Sequence, residues 1–353
     1  KDSVMSYKYN SLELLTEKAL ENGEIFYPEK QLNDYIIPTI YDRSGGNEIG
    51  KRGIKYLDIF MTKIGNKQKE IYEDYIKHSI EKGVILKEQE SFNFGILSSA
   101  SQMLNICFPV EGDYKNKYGK NGLKKIMKYN QSMLNEFEYK EGYEGFFKEE
   151  SLRDYSGKIS KIINEIKKSQ GIVLIYSQYI EGGCIPIALA LEEAGYNKLG
   201  GSLMKNAKSS DKGKYIMITG KKELNKDLKT TMNSCNSPEN KDGSKIKVVI
   251  ISLAGSEGLD FANIRQVHIL DAWYNLNRTG QIEGRAIRNL SHCNLDFKMR
   301  NVLICMHGTY GLTDNKEAVD LYLYRTAEKK SELSGKVSRI LKETAIDCLI
   351  NIN

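Results

Sequence analysis

KVVIISLAGSEGLDF, residues 247–261, decides how this chain is read. Its first half is an unbroken apolar run of strand length, which suits a strand covered on both faces, as in parallel sheets flanked by helices. Its second half is a glycine-spaced acidic turn. Gly255 and Gly258 let the backbone turn tightly with its amides facing outward, a geometry that suits phosphate oxygens. An isolated G-x-x-G is more often a plain turn after a strand. Asp260 stands just past it, where a carboxylate can accept from a sugar hydroxyl, hold an arginine or cap a helix.

The same pattern repeats on either side. GIVLIYS (171–177), YIMIT (215–219), VHIL (267–270) and NVLICM (301–306) read as further strands. Between them lie SGKISKIINEIKKS (156–169), an amphipathic helix opened by a serine, then IPIALALEEAGY (185–196), then a helix containing QIEGRAIRN. A helical tail runs from about Asn315 to Ile350, relieved near Gly335, and the polar stretch 221–245 reads as a mobile excursion. Strand and helix alternate, so the right-handed crossover rule predicts an α/β, doubly wound, mostly parallel sheet over residues 151–353. Ligands of such sheets are met by loops at the carboxyl ends of the strands, here GSEGLDF and DAWYNLNRTGQ.

Residues 1–150 carry weaker signals. Ile71, Tyr75, Ile76 and Ile80 recur at helical spacing within residues 66–82, and LSSASQMLNICFPV (97–110) reads as a helix or buried turn that stops before Pro109. This part is expected to be a partly helical connecting region. A chain of 353 residues with 40% hydrophobic content is enough for about two packed domains, and a net charge of +6 permits a polyanionic partner without demanding one. Six scattered cysteines without a C-x-x-C pair suit a reducing, intracellular compartment. No window resembles a signal peptide or a membrane span, so no membrane partner is expected. His292, Cys293, Cys305 and His307 match no common zinc spacing, and no metal site is expected there.

QIEGRAIR, residues 281–288, is the second stretch with chemical content. Arg285 and Arg288 are three apart, so a helix would project both from one face, with Gln281 one turn earlier. A solvated basic stripe is the bland alternative. Against it, Gly284 sits inside the helix at a cost of about 1 kcal/mol, which makes sense if something packs closely there. Guanidinium forks bind phosphate oxygens in a bidentate way and stabilise phosphoryl transfer, and the expected place for the pair is the carboxyl rim of the sheet.

In order and spacing, GIVLIYS, SLAGSEGLDF, VHILDAWYN and QIEGRAIR resemble motifs IV, V and VI of superfamily 2 helicases. SSASQMLNICFP (98–109), YSQYIEGG (176–183), HILDAWYNLNR (268–278), QIEGRAIRNLSH (281–292) and EAVDLYLYRTAEKK (317–330) are similar to the group found in large nucleocytoplasmic DNA viruses, which includes nucleoside triphosphate phosphohydrolase I. The resemblance covers residues 97–353 well and residues 1–96 poorly. It implies a second RecA-like domain, with a helical tail, of an ATP-driven nucleic-acid motor. Arg285 and Arg288 would be arginine fingers, with Gln281 beside them. Gly258, Asp260 and Glu257 would meet the nucleotide, and Ser177, Ser252, Ser256 and Arg278 would contact a DNA or RNA strand. Arg265, Lys298 and Arg300 are further candidate strand contacts, each more often an ordinary surface charge. Trp273 and Tyr274 could stack on a base or on the adenine, though packed core aromatics are commoner.

The resemblance further implies ATP with Mg2+, a viral RNA polymerase as partner, and a setting in host cytoplasm or virion. Two departures stand out. Ala272 replaces the usual proline before Trp273, and no G-x-x-x-x-G-K-[ST] loop occurs; SGKIS (156–160) and SGKVS (334–338) lack its upstream glycine and strand. ATP and Mg2+ would then be held mainly by a first RecA-like domain outside this chain, in cis or on a partner subunit. The alternative is a non-catalytic module that binds nucleic acid or transcription machinery.

Overall fold

Alternate residues of the central strand feed two different cores, which is why its sequence is apolar throughout. The computed structural model describes residues 54, 57–81, 94–207, 212–225, 227–253 and 258–345, with the backbone of two antiparallel strands, β1 (Ser6–Tyr9) and β2 (Leu15–Ala19). In chain order the other strands are β3 (Phe60–Lys63), β4 (Met127–Asn130), β5 (Asn135–Tyr139), β6 (Ile172–Tyr176), β7 (Asn197–Lys198), β8 (Lys214–Ile218), β9 (Val248–Ile251), β10 (Ile264–Ile269) and β11 (Leu303–Tyr310). The helices are α1 (Asn66–Glu81), α2 (Phe94–Asn105), α3 (Gly119–Ile126), α4 (Glu149–Tyr155), α5 (Gly157–Lys168), α6 (Ile185–Glu193), α7 (Leu228–Asn236), α8 (Leu276–Ala286) and α9 (Val319–Thr344).

Seven strands form one parallel sheet in the order β3-β11-β10-β6-β9-β8-β7. Val267 of β10 lies opposite Ile304 on one side and Leu174 on the other. Ile172, Leu174 and Tyr176 face one core together with Met103 and Leu104 of α2, Ile282 of α8 and Leu321 of α9. Val173 and Ile175 face the other, with Ile159, Ile162, Ile163 and Ile166 of α5 and Ile187 and Leu191 of α6. This is the doubly wound α/β sheet that the alternation predicts. β4 and β5 form a small antiparallel pair apart from it.

Three departures from the sequence reading bear on the site. The edge strand β3 comes from the region read as connecting, so the sheet's body reaches back before residue 151; four residues are too few to show a period. The polar stretch 221–245 holds α7 and a buried Asn240. The Asn240 amide donates to the carbonyls of Cys235 and Ile246, while its oxygen accepts from the amides of Lys245 and Ile246. One side chain there takes the place of a strand ladder, which no apolar period could announce. The tail is one continuous helix from Val319 to Thr344 with Gly335 buried inside it, and its expected end near Ile350 lies outside the described residues. Among the described residues, no helix is long and apolar enough to cross a membrane.

Candidate functional site

α8 starts after the carboxyl end of β10 and runs back along the sheet, so its last turn comes beside the chain that enters β10. There the Phe261 amide donates to the Arg285 carbonyl at 3.2 Å. The helix stops at Ala286, with Ile287 extended (φ −123°, ψ 93°), so Arg288 lies beyond it. Helical spacing therefore does not bring the two arginines together. Asp260 does. Its carboxylate takes Arg288 Nη1 at 2.7 Å and lies 3.6 Å from Arg285 Nη1. Arg285 also donates to the Leu259 carbonyl at 3.1 Å, and Arg288 Nε to the Gly284 carbonyl at 3.0 Å.

The cluster is open on one side. Asp260 is 56% exposed and Arg288 47%, whereas Arg285 is only 16% exposed and its buried Nε has no partner among the described residues. One carboxylate against two guanidiniums leaves an excess positive charge facing solvent. Asn236, the last residue of α7, holds the backbone on both sides of the carboxylate, donating to Asp260 O and accepting from the Ala262 amide. The stretch read as a mobile excursion thus helps to place Asp260.

Two expectations need correction here. The arginines do not stand at the carboxyl rim of the sheet; α8's direction carries them toward the end where β10 begins. Gly284 is not a close-packing glycine, since a Cβ there would meet open space, as at Gly280 and Gly258. Gln281 is exposed one turn before Arg285, and Gly258 has φ +71°, which favours glycine. Glu257 and Ser256 lie outside the described residues, as does Gly255.

At the carboxyl edge the named serines serve the fold. Ser177 and Ser252 are buried; Ser177 Oγ accepts from the Tyr179 amide, and the Ser252 amide donates to Ile218 O. Covered hydroxyls of this kind are not available to a strand in this conformation. Arg278 stacks on Trp273, 3.7 Å from its ring centroid, and donates to Gln178 Oε1. Tyr274 packs on Trp273 and takes Lys330 over its own face, so the two aromatics are half-buried under cations, and Tyr274 also packs against the core. Arg265 holds Asn301, and Arg300 caps the carbonyls of Leu295 and Cys293. Both are structural; Lys298 remains exposed.

A set of buried polar residues to which sequence reasoning gave no role holds this edge and the sheet together. Asp271, two residues past the end of β10, accepts from Asn105 Nδ2 and from the Gln178 amide at 2.6 Å, tying α2 to the loop after β6. Burial raises its pKa, opposed by the hydrogen bonds from its neighbours. Lys158, in SGKIS, is 2% exposed; it pairs with Asp320 at 2.8 Å and donates to Leu270 O. Its charge is committed to the fold, which excludes a phosphate-loop role. His268 and His307 bond each other at 2.8 Å, and His307 reaches Thr62. His292 spends its nitrogens on Ser291 and Ile264 O. Asp271's place at a strand's carboxyl end is the one signal of this group that the sequence carries.

Residues 157–290 match the model of the helicase conserved C-terminal domain. The termination factor NPH-I homolog of African swine fever virus (isolate Tick/Malawi/Lil 20-1/1983) is 31% identical over 243 residues, 58% of this chain and 34% of that protein. Nucleoside triphosphatase I of Heliothis armigera entomopoxvirus is 33% identical over 139 residues, 39% of this chain and 21% of that protein. The chain spans about a third or less of the length of these two curated relatives. Among solved structures, the C-terminal part of the Fun30 ATPase domain aligns with 83% of this chain and 97% of its own, at 15% identity and a TM-score of 0.46. That distant likeness adds nothing to the strand order itself. Residues 157–290 thus carry a helicase C-terminal domain on a parallel, RecA-like sheet, and the chain is similar over this part to superfamily 2 helicases that large DNA viruses encode.

Proposed function

We propose that this chain supplies the C-terminal motor domain of an ATP-dependent helicase or translocase that works on a DNA or RNA strand in viral transcription, with Arg285 and Arg288 as its arginine fingers. The observation that carries this is the convergence of two guanidiniums on one half-exposed carboxylate. Asp260 acts as a resting counter-ion that a triphosphate replaces: the terminal phosphate offers more charge and more acceptor oxygens than a carboxylate, and guanidinium forks match it bidentately. Arg285's unpartnered Nε is then satisfied. Gln281, exposed on the same helix, stands one turn away, and the freed Asp260 can accept from a ribose hydroxyl.

ATP and Mg2+ are gripped in this reading by a P-loop domain, joined in cis or brought by a partner subunit, because the 353 residues hold no such loop. As charge spreads over the transferring phosphoryl group, the arginines stabilise it, an effect worth roughly 10³–10⁵ in rate. Arg278 and the Trp273–Tyr274 pair at the carboxyl edge are the strand-facing candidates that retain exposed surface. A viral RNA polymerase is the partner that a role in transcription entails. A second reading, a non-catalytic binding module, is favoured by the arginines' being tied to Asp260 at the far end of α8.

The deciding experiment is a nucleic-acid-stimulated ATPase assay on the complete gene product beside this chain alone. Stimulated hydrolysis in the first, lost in the chain alone, is expected. Undiminished hydrolysis after Arg285→Ala and Arg288→Ala together sinks the finger role.

A further inference from the structure

A second polar site lies at the sheet's carboxyl edge, beside β3. There the starts of α1 and α5 meet across a cleft of about 390 Å³, lined by Lys63, Asn66, Arg153, Ser160 and Lys161. Two glycines make the meeting possible: a Cβ on Gly65 would collide with the Asp154 carbonyl, and one on Gly157 with the Lys63 carbonyl. Gln68 pins both starts, its Oε1 accepting from the amides of Gly65 and Gly157 while its Nε2 donates to Met103 O and Leu104 O.

At α1 this is half of a capping box. The residue three into the helix reaches back to the cap amide, but the cap position is glycine and has no side chain with which to accept from the first-turn amides. Neither α1 nor α5 has an acidic residue in its first turn. The helix starts therefore turn positive dipole ends, uncompensated by any carboxylate of their own, to the cleft. Ser160 is an independent sign of a ligand. It is 4% exposed, lines the cleft, and its hydroxyl has no hydrogen-bond partner among the described residues.

The charges agree. Lys63 and Arg153 are exposed and have no ion-pair partner within 4 Å among the described residues. Lys161 is shared between Glu165, at 3.2 Å, and the Phe60 ring. Asp154, which accepts from the Asn66 side-chain Nδ2 at 3.4 Å, is the carboxylate on the lining and offsets only part of this charge.

We infer that the cleft is a phosphate site, in which Ser160 Oγ–H, the first-turn amides of α1 and the Lys63–Arg153–Lys161 cations hold a phosphodiester of a nucleic-acid strand or a free phosphate. It is separate from the Arg285–Arg288 cluster and stands whether or not those residues act as fingers.

The test is titration of the full chain, labelled with 15N at glycine, first with inorganic phosphate and then with a short oligothymidylate, against chloride at equal ionic strength. Phosphate should shift the Gly65 and Gly157 amide signals in a saturable way. Replacing two surface side chains, Lys63→Ala with Arg153→Ala, should weaken that binding about tenfold and leave the fold intact; Ser160→Ala should weaken it less. If the oligonucleotide shifts the same signals and competes with phosphate, the ligand is a strand. If only free phosphate does so, the site is for a small phosphate, and the assignment of chemistry still holds. Absence of any shift beyond the chloride control, or a shift undiminished in the double variant, overturns it.

Discussion

Two ion-pair clusters in this molecule use the same chemistry to opposite ends. Lys158 and Asp320 meet at 2.8 Å with each 2% exposed, and both are bonded further: Lys158 donates to Leu270 O, and Asp320 accepts from Thr309 and the Leu321 amide. Arg285 and Arg288 meet Asp260 in the open, with one guanidinium nitrogen unsatisfied and a positive charge to spare. A buried pair that is fully bonded cannot exchange partners without leaving a bare charge in the core, whereas a half-exposed one can trade its carboxylate for a better anion at little cost. Burial, more than residue type, separates the lysine of SGKIS from the arginines of QIEGRAIR.

The comparison breaks most readily on activity. In a protein that carries this chain with a P-loop domain, Arg288→Ala should lower kcat about a thousandfold, while the nucleotide Kd changes by less than about tenfold. Equal losses in both would make the arginine a binding group only. Next in size, Lys158→Ala should cost about 3–5 kcal/mol in urea denaturation, because it strands Asp320 in the core. Lys158→Met with Asp320→Leu should recover most of that loss; failure to recover would mean that the pair does more than fill and neutralise.

Asn240→Ala should cost about 1–3 kcal/mol and loosen α7. Since Asn236 on that helix places Asp260, a loss of stability without any change in the arginine cluster would separate the two regions.

Acidification sharpens the buried side. His268 is pushed down to about 3, chiefly by burial and then by the nearby Lys161 charge, and His307 lies well below its usual value for the same first reason. The unfolded chain takes up these protons near pH 6.5, and the folded one does not. Stability should therefore be full above about 6.5 and fall as pH drops toward 3, by at most about 1.4 kcal/mol per unit per histidine. Urea midpoints at pH 7 and pH 5 measure this, and a flat profile would contradict the neutral histidine pair. The smallest effect belongs to the open cluster: Asp260→Asn should shift stability by less than about 1 kcal/mol in thermal melts. A loss as large as that for Lys158→Ala would erase the distinction.

Much of this is legible in the chain. The strand runs, the serine that opens α5 and the helix stop before Pro109 all follow from local rules, and Ser156 does cap α5 through the Ile159 amide. The position of Asp260 after its turn allows it to hold an arginine, and it holds two. What misleads is periodicity used beyond its reach: three-residue spacing suggests one helical face for Arg285 and Arg288, yet the helix ends between them. Stretch 221–245 has the composition of a loop because Asn240 satisfies its backbone with a side chain, a bond pattern that leaves no apolar trace.

The sequence by itself determined the parallel doubly wound sheet and singled out the charged residues of the arginine cluster, because burial on two faces and the turn signals before β10 constrain composition locally. Only the tertiary structure decided which charges are locked and which are exchangeable. Lys158 of α5 and Asp320 of α9 are far apart in sequence, and Arg285 meets Asp260 through a helix that reverses along the sheet. Desolvation depends on what packs around a group, and no stretch of sequence carries that information alone.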